Sequence, residues 1–99
     1  MTYIKVNDSL YEATIEGRMR DFEWDDRDSK AITTSELTYA EAVELFRDGV
    51  AWSIIDGDQE WDNSEYSVAG DITDHRDGSI TIKMGKPTDL ELAYEELYG

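Results

Sequence analysis

Apolar and polar residues alternate from the start of the chain. Ile4 and Val6 share one face of residues 3–6, and Asn7-Asp8-Ser9 supplies turn chemistry. Tyr11, Ala13 and Ile15 then carry the alternation on to Gly17, which predicts a β-hairpin. Residues 18–29, RMRDFEWDDRDS, show no period and read as a strand end plus an exposed loop, and the β-branched run from Lys30 to Thr34 reads as a short strand. At Thr38 the period changes. Thr38 and Glu41 form T-x-x-E, a capping box in which each side chain satisfies a backbone N–H of the first turn, with Leu37 placed as a hydrophobic staple. Tyr39, Ala42, Val43 and Phe46 recur at helical spacing, Glu41, Glu44 and Asp48 take the other side, and Gly49 supplies a stop.

The second half opens on VAWSII (50–55), a continuous apolar run of strand length that belongs in the middle of a sheet. DGDQEWDNSE (56–65) reads as a polar loop, and Tyr66 to Ala69 as another strand. Asp71–Asp74 and Ser79–Met84 bracket His75-Arg76-Asp77-Gly78, the strongest hairpin signal in the chain. Pro87 ends that strand. Thr88 and Glu91 form a second capping box, and the helix after it places Leu90, Tyr94, Leu97 and Tyr98 on one face before Gly99.

The expected fold is a single α+β domain over residues 1–99: a small, largely antiparallel sheet of five to six strands with two α-helices packed on it. Its core should come from Ile4, Val6, Tyr11, Ala13, Ile15, Ile32, Val43, Phe46, Trp52, Ile54, Val68, Ile72, Ile80, Ile82, Leu90, Tyr94 and Leu97. Two recurrences test for a repeat. The capping boxes lie 50 residues apart, whereas Glu-Trp-Asp recurs at 23–25 and 60–62, a different offset, so the expectation is convergent capping chemistry rather than duplication.

Composition narrows the function. With 24 Asp+Glu against 9 Lys+Arg the formal net charge is -15, which repels phosphate and argues against nucleic-acid grooves and anionic membrane faces. The charge alone would suggest disorder, but 39% hydrophobic and 11% aromatic residues supply a core. Zero cysteine removes disulfides, thiolate metal sites and thiol nucleophiles. The first residues lack a signal-peptide pattern and no later stretch approaches a membrane span, so the expected location is the cytoplasm of a host cell, with virion association as the alternative. Asn7-Asp8-Ser9 is accordingly read as a turn rather than a glycosylation acceptor.

Candidate chemistry is sparse. Asp56, Asp58, Glu60 and Asp62 have the alternating spacing that opens an EF-hand loop, but Trp61 replaces the turn glycine and Ser67 the closing glutamate, so a solvated loop is expected. Asp25, Asp26 and Asp28 beside Trp24 resemble paired glycosidase acids only in spacing, and carboxylates so close in one loop stay ionised. His75 reads as an exposed turn residue. No catalytic residue, cofactor site or metal site is assigned. The remaining feature is the acids: Glu41, Glu44 and Asp48 on one helix and Glu91, Glu95 and Glu96 on the other are spaced much as phosphates are along a nucleic-acid strand, and with the loop acids Asp56, Asp58, Glu60 and Asp62 they make a candidate interaction face.

The segments EWDDRDSKAIT (23–33), WSIIDGD (52–58) and DNSEYSVAGDITDHRDGSITIKMGK (62–86), with TDLE (88–91), resemble a class of small proteins of prophages and conjugative elements of Gram-positive bacteria. The resemblance implies a mobile-element origin and a small α+β domain, and it carries no established activity or site residues. The expectation is therefore a non-catalytic interaction or structural accessory module. It would bind a protein partner, basic if the acids are the contact, without binding nucleic acid or membrane directly. The alternative is an acidic mimic of nucleic acid that inhibits a host DNA- or RNA-handling protein. Oligomeric state is left open.

Overall fold

The computed structural model describes the backbone of residues 1–98 and the side chains of residues 1–97. Gly99, expected to end the last helix, and the side chain of Tyr98, expected on its apolar face, lie outside the described residues. The chain forms β1 (Thr2–Val6), β2 (Ser9–Glu12), β3 (Thr14–Asp21), a 3-10 turn (Phe22–Trp24), β4 (Arg27–Thr34), α1 (Tyr39–Leu45), β5 (Trp52–Asp56), β6 (Gln59–Asp62), β7 (Val68–Asp74), β8 (Ile80–Gly85) and α2 (Asp89–Tyr98).

The α+β class is as expected, but the single sheet is not. The strands form two antiparallel four-stranded sheets, ordered β2-β1-β5-β6 and β3-β4-β8-β7. The division falls at Ala13, where the alternation that reads as one strand from Tyr11 to Ile15 turns a corner. The Ala13 N–H donates to the Thr2 carbonyl at 3.0 Å, and the chain leaves the first sheet for the second. Residues 56–62 are not a loop either. Gly57, at φ 63°, and Asp58 make a two-residue turn that pairs Asp56 with Gln59 and Ser53 with Asp62. The stretch 18–29, expected to be mostly loop, instead extends β3 to Asp21 and begins β4 at Arg27.

Register builds the core from cross-strand rows whose side chains share a face. Tyr11, Ile4, Ile54 and Trp61 cross the first sheet, and Ile15, Ile32, Ile82 and Ile72 cross the second. The inner residues of both rows join Val6, Trp52, Ile80, Met84, Leu37, Ala42 and Phe46 in one cluster. α1 lies against β7, capped reciprocally by Thr38 and Glu41 as expected. Of the expected core, Val43 is exposed, and so are Leu90, Tyr94 and Leu97: every described side chain from Asp89 to Leu97 is exposed.

The pairing also repeats. The central pairs Ile4↔Ile54 and Ile32↔Ile82 each join residues 50 apart, the hairpins β1–β2 and β5–β6 share one register at that offset, and Asn63 N–H donates to the Trp52 carbonyl as Ala13 does to Thr2. The β1–β2 and β5–β6 hairpins and the central pairs thus share one 50-residue offset, a recurrence beyond the capping chemistry expected from the sequence, whereas β3 and β7 do not follow it: Ile15 pairs with Ile32, but the residue pairing with Ile82 is Ile72, 57 positions on. The recurrence of Glu-Trp-Asp is the coincidental one, since residues 23–25 end a 3-10 turn while residues 60–62 lie in β6.

Candidate interaction surface

Five of the nine basic residues are held by groups around the second sheet. Lys83 Nζ lies 2.6 Å from Asp21 Oδ2, whose side chain is fully buried and also accepts from Ser29 Oγ at 3.1 Å, while Oδ1 accepts from Glu23 N–H and faces Arg18 at 3.5 Å. The hydrogen bond from Lys83 dominates and holds the Asp21 carboxyl below its ordinary value, against the opposing effect of burial. Lys30 stands over the Tyr66 ring at 4.5 Å and donates to Asn63 Oδ1, and burial lowers its pKa. Lys86 reaches Glu65 at 3.7 Å and Asp28 at 3.9 Å.

Arg27 joins these groups to α2. Its guanidinium is 3% exposed and stacks 4.6 Å from the centre of the Trp24 ring. It donates through Nε to the Trp24 carbonyl at 3.2 Å and through one Nη to the Lys86 carbonyl at 3.3 Å, and grips both Glu91 oxygens at 3.0 and 2.9 Å. That fork-to-fork pair is the strongest geometry available to a carboxylate. It holds Glu91 below its ordinary pKa, assisted by the Thr88 backbone N–H. Trp24 fits only because Gly70 and Gly85 lie beneath it; a Cβ on either would come within 2.8 Å of the indole.

The acids singled out from the sequence are all exposed, but they are not one row. Glu41 closes the α1 capping box, Glu44 pairs with Arg47 at 2.7 Å, Asp48 accepts from Ala69 N–H, Asp62 accepts from Ser64, and Glu91 is held by Arg27. Asp56, Asp58, Glu60 and Glu95 have no hydrogen-bonded or ionic side-chain partner among the described residues. Lys86 pairs with Glu65, just past β6, and Arg27 with Glu91 at the start of α2, so bases stand among these acids. Asp21, Arg27 and Ser29, the buried polar residues that organise this side, fall within the charged stretch read as loop. Only their i, i+6, i+8 return across a hairpin could have marked them.

What the arrangement presents to solvent is α2. Leu90, Tyr94 and Leu97 are 81, 66 and 76% exposed at i, i+4, i+7, flanked by Asp89, Glu91, Glu95 and Glu96 with no base on the helix. His75 is exposed in the β7–β8 loop, its Nε2 2.7 Å from Thr81 Oγ1. Among the described residues no helix is long and apolar enough to cross a membrane. No protein-family description matches the chain, and comparison with curated proteins and with solved structures returns no match.

Proposed function

We propose that this chain is a non-catalytic protein-interaction module whose contact element is α2, and that it serves as an accessory protein of a phage or other mobile element, as the sequence resemblance implies. One observation carries the reading: an acidic helix fixed at its first turn by Arg27 holds Leu90, Tyr94 and Leu97 in water. A large exposed apolar stripe rimmed by charge is the usual form of a helix awaiting a groove. The chemistry of the partner follows from the helix: an apolar surface bordered by Lys or Arg.

Nucleic-acid mimicry is supported by Asp56, Asp58 and Glu60, which pair with no cation among the described residues, and it predicts a different outcome. Tagged protein captured from host lysate should retain a partner that the double variant L90S/L97S loses and that survives high salt through its apolar contact. A partner insensitive to L90S/L97S but lost on charge reversal of Asp56, Asp58 and Glu60, or lost at high salt, would overturn this reading in favour of mimicry.

A further inference from the structure

The groove beside α1 is a second surface, separate from α2. It encloses about 830 Å³ between α1 and β7 and is lined by every residue from Ala69 to Asp74. A strand shows alternate residues to each of its faces, so an unbroken run marks a groove that opens on the strand's edge, where the backbone lies. β7 is the outermost strand of its sheet.

Register shows which backbone groups face that edge. His75 N–H donates to the Ser79 carbonyl at 3.1 Å, and hydrogen-bonded pairs alternate back from there. Thr73 therefore bonds toward Thr81 in β8, and the N–H and C=O of Ile72 and Asp74 point outward. The chain itself covers only the first part of the edge. Gly49 N–H donates to the Ser67 carbonyl at 2.8 Å, and Asp48 Oδ1 accepts from Ala69 N–H at 2.8 Å. Past the bulge between Ala69 and Ile72 this cover stops, and the outward groups of Ile72 and Asp74 have no protein partner among the described residues.

The surroundings name the occupant. Tyr39 and Val43, one turn apart on α1, line the groove at 49 and 43% exposure. The one base in the lining, Arg47, is already paired with Glu44 at 2.7 Å. Lys83, which shares a smaller pocket with Asp71, is held by Asp21 at 2.6 Å. Asp71 and Asp74 have no ion pair among the described residues, so the groove is apolar on its helix side and anionic along its strand. A second copy of this chain, at a net charge of -15, would set further carboxylates against them.

We propose that this groove binds an extended, cationic segment of a partner protein by strand addition, the segment's backbone pairing with Ile72 and Asp74. An apolar side chain of the segment sits on Tyr39 and Val43, and Lys or Arg side chains meet Asp71 and Asp74. The bulge and the two acids guard the edge against uncharged strands, so charge selects the segment and the backbone holds it.

Hydrogen exchange of the full chain with a synthetic hexapeptide of alternating lysine and valine tests it. In the free protein the Ile72 and Asp74 amides should exchange at least tenfold faster than that of Thr73, and saturating peptide should slow both at least tenfold. The same peptide N-methylated along its backbone keeps its charge but cannot donate, and should not bind. V43K and D71N/D74N should each weaken binding at least tenfold with an unchanged circular dichroism spectrum. L90S/L97S should bind as the unaltered chain does, which separates this surface from α2. No binding at millimolar peptide, or protection confined to other strands or to α2, would overturn the proposal. So would equal binding of the methylated peptide, which is adsorption to an acidic surface, or Ile72 and Asp74 amides already protected in the free protein by association of copies.

Discussion

Phe46 and Trp52 meet at the junction of α1 with the first sheet, and each is nearly inaccessible. Truncating either to alanine removes a large ring from a site that the two rigid sheets cannot collapse to fill, so F46A and W52A should each lower stability by about 3–5 kcal/mol in urea titrations. Gly85 is constrained in the opposite sense. A methyl there meets Arg27 Cδ at 2.7 Å and Trp24 Cζ3 at 2.8 Å, and G85A should cost about 1–3 kcal/mol and shift the Trp24 fluorescence. Asp21 makes the pH dependence local. Its folded pKa lies below the ordinary 3.8, so its stabilisation is complete above that value and is lost as pH falls through the lower, folded one. The stability difference between wild type and D21N should therefore be largest near neutrality and vanish toward the acid end of the titration.

At the scale of elements, α2 is tied to the second sheet through the fork of Arg27 on Glu91. Lysine keeps the charge of Arg27 but cannot reproduce the fork on Glu91 or the stack on Trp24, and a helix this short is marginal without support. R27K should bring amide exchange in residues 91–97 close to that of unstructured chain, while β4 and β8 stay protected. The elements legible in the sequence were those that carry local chemistry: both capping boxes, the Asn7-Asp8 turn and the Asp77-Gly78 hairpin. β6 was not, because Asp-Gly-Asp-Gln resembles solvent-exposed loop until its pairing with β5 is known. The corner at Ala13 was not legible either, since no glycine or proline interrupts the alternation there. Leu90, Tyr94 and Leu97 were read correctly as one face of a helix, but periodicity shows that a face is apolar without showing that anything covers it. The Asp21–Arg27 cluster was missed because buried ions and loop ions have the same composition.

At the scale of the molecule, the basic residues gather around the second sheet, and carboxylates dominate the β5–β6 hairpin and α2. Self-repulsion among the unpaired carboxylates is screened by salt far more than the buried Asp21–Lys83 contact is. The melting temperature should rise between about 20 and about 300 mM NaCl, and a flat or falling curve would show that internal ion pairs outweigh the surface excess. The pairing of Ile4 with Ile54 and of Ile32 with Ile82 has a further consequence. The middle of each sheet joins strands from opposite halves of the chain, and such distant pairings form slowly because a long loop must close first. During synthesis, β1 to β4 leave the ribosome with both isoleucine rows bare on one side, and the second sheet gains its central pair only when β8 emerges. The sheet centres should therefore form only after the second half has emerged, with the first half held soluble meanwhile by its own charge or by a chaperone.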